Sequence, residues 1–150
     1  MSEPSDTHLP LRAVVADDDV DIRRVIAIQL KELGYEVIEA GNGDAVKAAV
    51  TEHPPDLICL DLNMPLVSGY AVLRWLREEP ALTEIPVLVI TARTSLDDYA
   101  TCREYQATAI VEKPFRTKAL RAAVQRLVGQ SGAAAATAPR SRSGDSGEKP

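Results

Sequence analysis

Asp56-Leu57-Ile58-Cys59-Leu60-Asp61 decides the fold, because four consecutive apolar residues stand between two carboxylates. Side chains of a strand alternate between the two sides of its sheet, so a strand that is apolar at every position is buried on both. A parallel sheet covered by helices on each side meets that condition; the half-solvated strands of a hairpin protein do not. Working outward, the same short apolar or β-branched character recurs at Leu11–Ala16 and Tyr35–Ala40 upstream, and at residues 86–90 and 109–111 downstream. These runs read as five strands of one sheet.

The intervening segments read as helices. Ile22, Val25, Ile26, Leu30 and Leu33 form one stripe, and Gly34 stands where that helix should stop. Residues 44–52 repeat the pattern and end at Pro54-Pro55; residues 70–79 carry Leu73, Trp75 and Leu76 before Pro80. Ser95 is the expected N-cap of a fourth helix, and the last is predicted from about residue 117 to 128, with Gly129 following. Strict β/α alternation implies right-handed crossovers. The expected class is α/β, a flavodoxin-like doubly wound (βα)5 domain. Its parallel five-stranded sheet should have the order 2-1-3-4-5, with helices on both faces.

The chain has 150 residues, 45% of them hydrophobic and 26% charged, which fits one ordinary globular domain. Residues 1–9 read as a flexible arm and 10–130 as the domain. Residues 131–150 lack large apolar side chains and read as a disordered tail or linker, although residues 133–136 could extend the last helix by a turn. The net charge of −5 argues against direct nucleic-acid binding. No apolar run is long enough for membrane insertion and no signal-peptide pattern is present, so a cytoplasmic location is expected. Cys59 and Cys102 read as reduced thiols in or near the core.

In such a sheet the working crevice lies beyond the carboxyl ends of the strands. The sequence places chemistry there. Asp17-Asp18-Asp19 follows the first strand, Asp61 the third, Thr91-Ala92 the fourth and Lys113-Pro114 the fifth. Clustered carboxylates repel and call for a counter-charge, for which Mg²⁺ with its oxygen ligands is suited. A lysine and a threonine hydroxyl would complete a site for a tetrahedral anion, and one carboxylate could serve as nucleophile.

These pieces resemble a bacterial two-component response-regulator receiver domain, of the chemotaxis-regulator kind. They are Val14-Val15-Ala16-Asp17-Asp18-Asp19, Leu60-Asp61-Leu62-Asn63-Met64-Pro65 with Gly69, Thr91-Ala92, and Lys113-Pro114-Phe115, in family order. The resemblance implies that Asp61 is the phosphoacceptor. It implies that Asp17, Asp18, Asp61 and the backbone carbonyl of Asn63 hold Mg²⁺, Asp17 largely through water. Thr91, Ala92 and Lys113 would bind the phosphoryl group and carry the switch, and Lys113-Pro114 would be a cis peptide. The phosphodonor would be a sensor histidine kinase or a phosphotransfer protein of a phosphorelay. The acyl phosphate would shift a pre-existing equilibrium at the face made by the fourth helix, fifth strand and fifth helix, where a downstream protein or a second copy of the chain would bind.

Other residues have plainer readings. Asp19 is expected as a helix N-cap, Met64 and Pro65 as loop-shaping residues, and Gly69 as a backbone requirement. His53 reads as a surface residue, His8 as part of the arm and Trp75 as helix-surface packing. Two departures from the family pattern stand out. Ile110 occupies the position, three before the lysine, where many members carry Tyr or Phe, and Gln106-Ala107 replaces a common Gly-Ala. Arg93 and Asn63 stand two residues after Thr91 and Asp61, at positions that flank the path of attacking water in the family. Competing readings are a phosphorylation-independent scaffold, the receiver portion of a longer regulator, and a phosphatase with an Asp nucleophile. The last wants a second Asp two residues on, where Asn63 stands.

Overall fold

The computed structural model describes residues 11–137. Strands β1 (Leu11–Ala16), β2 (Tyr35–Ala40), β3 (Leu57–Leu60), β4 (Val87–Thr91) and β5 (Ala109–Glu112) alternate with helices. The helices are α1 (Val20–Glu32), α2 (Gly43–Glu52), α3 (Gly69–Glu78), α4 (Leu96–Glu104) and α5 (Thr117–Thr137). All pairings are parallel and the strand order is β2-β1-β3-β4-β5, the expected doubly wound sheet. The predicted arm 1–9, His8 within it, and the end of the predicted tail lie outside the described residues.

The continuous apolar strands have the predicted cause. Val14, Ile58, Leu60 and Val89 turn to one side of the sheet, where Val46, Val50, Val72, Leu73 and Leu76 of α2 and α3 cover them. Ala13, Val15, Leu57, Cys59 and Leu88 turn to the other, beneath Ile26 and Leu30 of α1 and Leu120 and Val124 of α5. Each fully buried Leu or Ile contributes about 1.5–3 kcal/mol by leaving water, so neither layer is optional. Cys59 and Cys102 are both buried free thiols.

The helix signals resolve into specific bonds. Asp19 caps α1, its carboxylate accepting from the backbone N–H groups of Asp21 and Ile22 at 2.9 and 3.2 Å. Gly34 adopts φ 101° just beyond the helix, a conformation open to glycine at little cost. Ser95 and Asp98 make a reciprocal capping box at the start of α4. Helix α5 corrects the sequence reading: instead of ending near residue 128 it continues through Gly129 and Gly132 to Thr137. A helical glycine costs only about 1 kcal/mol relative to alanine, and the run Ala133-Ala134-Ala135-Ala136 favours continuation.

The turn into β5, which has no glycine, is built by force. Gln106 takes φ 60° and Ala107 and Gln106 donate back to the carbonyls of Cys102 and Arg103, the two bonds of a Schellman cap. The half-buried Arg77 guanidinium holds the turn from α3, donating to the carbonyls of Tyr105, Gln106, Thr83 and Ile85. A left-handed non-glycine costs roughly 1–2 kcal/mol, and glycine gives back about 0.4–1 through the unfolded chain. Gln106→Gly is thus expected to raise unfolding free energy by about 0.5–1 kcal/mol. Urea denaturation checks it, and an unchanged or lower midpoint would mean that the turn is unstrained.

Candidate functional site

Strand pairing continues one residue past the strand ends and fixes where each carboxylate emerges. The Asp17 N–H donates to the carbonyl of Ala40 at 3.1 Å, and the Asp61 N–H to that of Ala16 at 3.0 Å. The Lys113 N–H donates to the carbonyl of Thr91 at 2.9 Å. The start of α3 presses directly against Asp61: a Cβ on Gly69 would lie 2.1 Å from the Asp61 carbonyl oxygen. Gly69 is therefore required by close backbone approach, as anticipated.

Asp17, Asp61 and Thr91 are buried, and Lys113 reaches between the two acids. Its ammonium donates to Asp17 Oδ2 at 2.6 Å and to Asp61 Oδ2 at 3.2 Å, although 96 and 52 residues separate it from them in sequence. The remaining oxygens accept from the loop: Asp17 Oδ1 from the Asp19 N–H at 2.9 Å, Asp61 Oδ1 from the Asn63 N–H at 3.2 Å. Asp18 is exposed, and one oxygen from each of Asp17, Asp18 and Asp61 lies within 4.8 Å of the others.

Burial pushes the Asp17 carboxyl above its ordinary pKa, even though Lys113 and the Asp19 N–H pull it down. Burial also works against the Lys113 charge, but the Asp17 and Asp61 carboxylates outweigh it and raise that pKa too. A cluster of three acids and one amine carries excess negative charge. Its donor set is oxygen only, partly open to water, and short of positive charge. Those properties fit a hard divalent cation such as Mg²⁺, and Asp17, Asp18 and Asp61 are the side chains that could hold it.

The Thr91 hydroxyl accepts from the Arg93 N–H at 3.0 Å. Lys113-Pro114 is a cis peptide. Ala92, Lys113 and Pro114 line an apolar groove of about 440 Å³ with Ile22, Val25 and Phe115. Ile110 lies half-buried in the layer shared with Tyr70 and Tyr105. Asn63 touches Asp61 through its N–H, and Ile110 stands away from the carboxylates on the strand. His53 is exposed, and the Lys47 ammonium sits 5.5 Å over the Trp75 ring on the surface of α2 and α3.

Sequence reading missed Arg23. Its guanidinium donates to the Asp17 carbonyl at 2.9 Å and to Glu39 of β2 at 2.9 Å, bracing the acidic loop from below. The only signal was an arginine on the side of α1 that turns toward the sheet, which helical periodicity alone does not single out.

A family model described as the response regulator receiver domain matches residues 13–125. The transcriptional regulatory protein KdpE of Mycobacterium tuberculosis is 40% identical over 117 residues, covering 75% of this chain and 50% of that protein. The phosphate regulon transcriptional regulatory protein PhoB of Pseudomonas aeruginosa is 32% identical over 126 residues, covering 84% and 55%. The chain spans about half the length of the curated relatives it matches, 48% for two of them. Among solved structures, the chemotaxis protein CheY4 of Vibrio cholerae superposes with a TM-score of 0.75 at 28% identity, covering 79% of this chain and 99% of that one. A signal receiver domain of a histidine kinase from Syntrophus aciditrophicus gives a TM-score of 0.73 at 29% identity, covering 79% and 90%.

Proposed function

The chain belongs to the response regulator receiver domain family and is a phosphorylation-switched signalling receiver, and we propose that Asp61 is its phosphoacceptor. One observation carries this reading: the Lys113 ammonium bridges buried Asp17 and Asp61 at 2.6 and 3.2 Å, beside the buried hydroxyl of Thr91. A nucleophile, a fixed cation and a hydroxyl donor converge on one rim, which is the equipment of phosphoryl transfer.

Receiver domains interact with histidine kinases or phosphotransfer proteins. The donor would approach over the apolar groove formed by Ile22, Val25, Pro114 and Phe115, next to Lys113. One Asp61 carboxylate oxygen attacks the phosphorus of the donor's phosphohistidine. The P–N bond breaks, the electron pair leaves with the imidazole, and Asp61 becomes an acyl phosphate. Lys113 pairs with one phosphoryl oxygen and the Thr91 hydroxyl donates to another. Asp17, Asp18, Asp61 and the Asn63 carbonyl would hold Mg²⁺, which neutralises charge on the transferring group when bound. Such a receiver would work in the cytoplasm; no helix among the described residues is long and apolar enough to cross a membrane.

The output surface would be the α4, β5 and α5 side, since β5 is the edge of the sheet and only partly buried. Its occupant would be a downstream protein or a second copy of the chain. The test of the central reading is direct. Protein incubated with acetyl phosphate and Mg²⁺ should gain about 80 Da, one phosphoryl group, by intact mass. EDTA should prevent the gain. No gain under any Mg²⁺ concentration would end this reading.

A further inference from the structure

Many family members carry an aromatic at the position of Ile110, and this chain must signal without it. Three side chains elsewhere lie on a path from Thr91 to α4. The Arg93 N–H is bound to the Thr91 hydroxyl at 3.0 Å, and the Arg93 side chain reaches Asp98 Oδ1 at 3.4 Å. The same guanidinium lies 5.6 Å from the centre of the Tyr70 ring. The Tyr70 hydroxyl, from the first turn of α3, donates to the same Asp98 oxygen. The other Asp98 oxygen closes the capping box with the Ser95 N–H and hydroxyl at 3.1 and 2.7 Å. The Tyr70 hydrogen bond, ahead of those from Ser95, keeps the Asp98 carboxylate down at about 2.

Arg77 clamps the turn after α4, but the N-terminal half of the helix has few other holds. Cys102 is its one buried residue, and Leu96 is 88% exposed. A second phenol, that of Tyr99, ties it to Glu112 on β5. Between α3 and α4 lies an open groove of about 290 Å³, lined by Tyr70, Ala71, Arg74, Thr101 and Tyr105. A helix end fixed mainly by a few polar contacts is the kind of low-stability element from which switches are drawn.

We propose that the Tyr70–Asp98–Arg93 cluster is the off-state latch of α4, and that Thr91 releases it when the Thr91 hydroxyl turns to a phosphoryl group on Asp61. The turn takes the acceptor from the Arg93 N–H. The loop before α4 then moves, the guanidinium leaves Asp98 and Tyr70, and α4 is freed at its N-terminus. Ile110 is a bystander that fills volume in the same layer. The proposal rests on Asp61 as phosphoacceptor and adds how its occupancy reaches α4.

Hydrogen exchange on the full chain, with Mg²⁺ and beryllofluoride as the phosphoryl mimic, tests it. In the wild type, beryllofluoride should speed exchange in residues 96–104. Tyr70→Phe removes only a hydroxyl; it should speed that exchange about threefold to tenfold without beryllofluoride, the weight of one net hydrogen bond. By linkage it should lower the half-saturating beryllofluoride concentration by a similar factor. Arg93→Ala should move both quantities the same way, and Ile110→Ala should move neither. Faster exchange in Tyr70→Phe with unchanged half-saturation would reduce the cluster to a structural contact and overturn the proposal, as would no change at all. Loss of the α4 response in Ile110→Ala alone would overturn it in favour of β5. If beryllofluoride leaves residues around Asp61 unchanged in the wild type, the phosphoacceptor reading itself fails and takes the latch with it.

Discussion

Asp61→Asn is expected to abolish the phosphoryl adduct while leaving the protein folded. With the Asp61 carboxylate as the proposed nucleophile, the amide that replaces it carries no charge and forms no acyl phosphate, so the expected loss is to below detection, at least about 100-fold. The fold should survive because asparagine keeps the shape and the acceptor oxygen. That oxygen can still take the Lys113 ammonium or the Asn63 N–H, the two partners that Asp61 has now. One carboxylate facing Asp17 is also removed, while Lys113 keeps its 2.6 Å contact to Asp17. The two effects oppose, so stability should stay within about 1 kcal/mol of the wild type. Intact mass after acetyl phosphate treatment and a thermal melt together check both halves. An adduct that persists in D61N would move the acceptor to Asp17 or Asp18, the other acids of the cluster.

Much of this was readable before any coordinates. A strand apolar on every position can only be buried on both faces, so residues 57–60 alone implied two helical layers. The rule that parallel sheets work at their carboxyl ends then brought Asp17, Asp61, Thr91 and Lys113 together, residues as far as 96 positions apart. Local chemistry was legible where it acts within a few residues, as in the Asp19 cap and the stop at Gly34. What failed to show depends on partners distant in the chain. Arg77 serves carbonyls 28 and 29 residues away, and no spacing rule announces it. Tyr70 meets Asp98 across the same distance, on a helix with no apolar stripe to reveal its orientation. Gln106 could be flagged as a missing glycine, but not that the backbone would keep the left-handed turn regardless. The end of α5 is weakly marked in sequence, because Gly129 resembles a stop yet a glycine inside an alanine-rich helix is only a modest cost.

Lys113→Ala should convert the domain into one whose stability depends on Mg²⁺. With the ammonium gone, buried Asp17 and Asp61 face each other without the cation that now sits 2.6 and 3.2 Å from them. Breaking a buried ion pair from one side costs about 3–5 kcal/mol; the Lys113 side chain is 15% exposed, so the lower end, about 3, is expected here. A divalent cation at the acids restores the missing charge. Saturation at 100 times the dissociation constant gives back about 2.7 kcal/mol, so Mg²⁺ should recover most of the loss, and more than it adds to the wild type. Acid should help as well. Burial already raises the Asp17 pKa above its unfolded value, and losing Lys113 raises it further. A group shifted upward contributes stability that is present in full below the unfolded pKa of 3.8 and is lost as pH rises through the folded one. The deficit of K113A relative to the wild type should therefore be largest near neutral pH without Mg²⁺ and should shrink toward pH 4. Urea unfolding at two pH values, each with Mg²⁺ and with EDTA, measures all of this. A deficit independent of both Mg²⁺ and pH would mean that Lys113 contributes packing and not charge, and the electrostatic account of the site would fall.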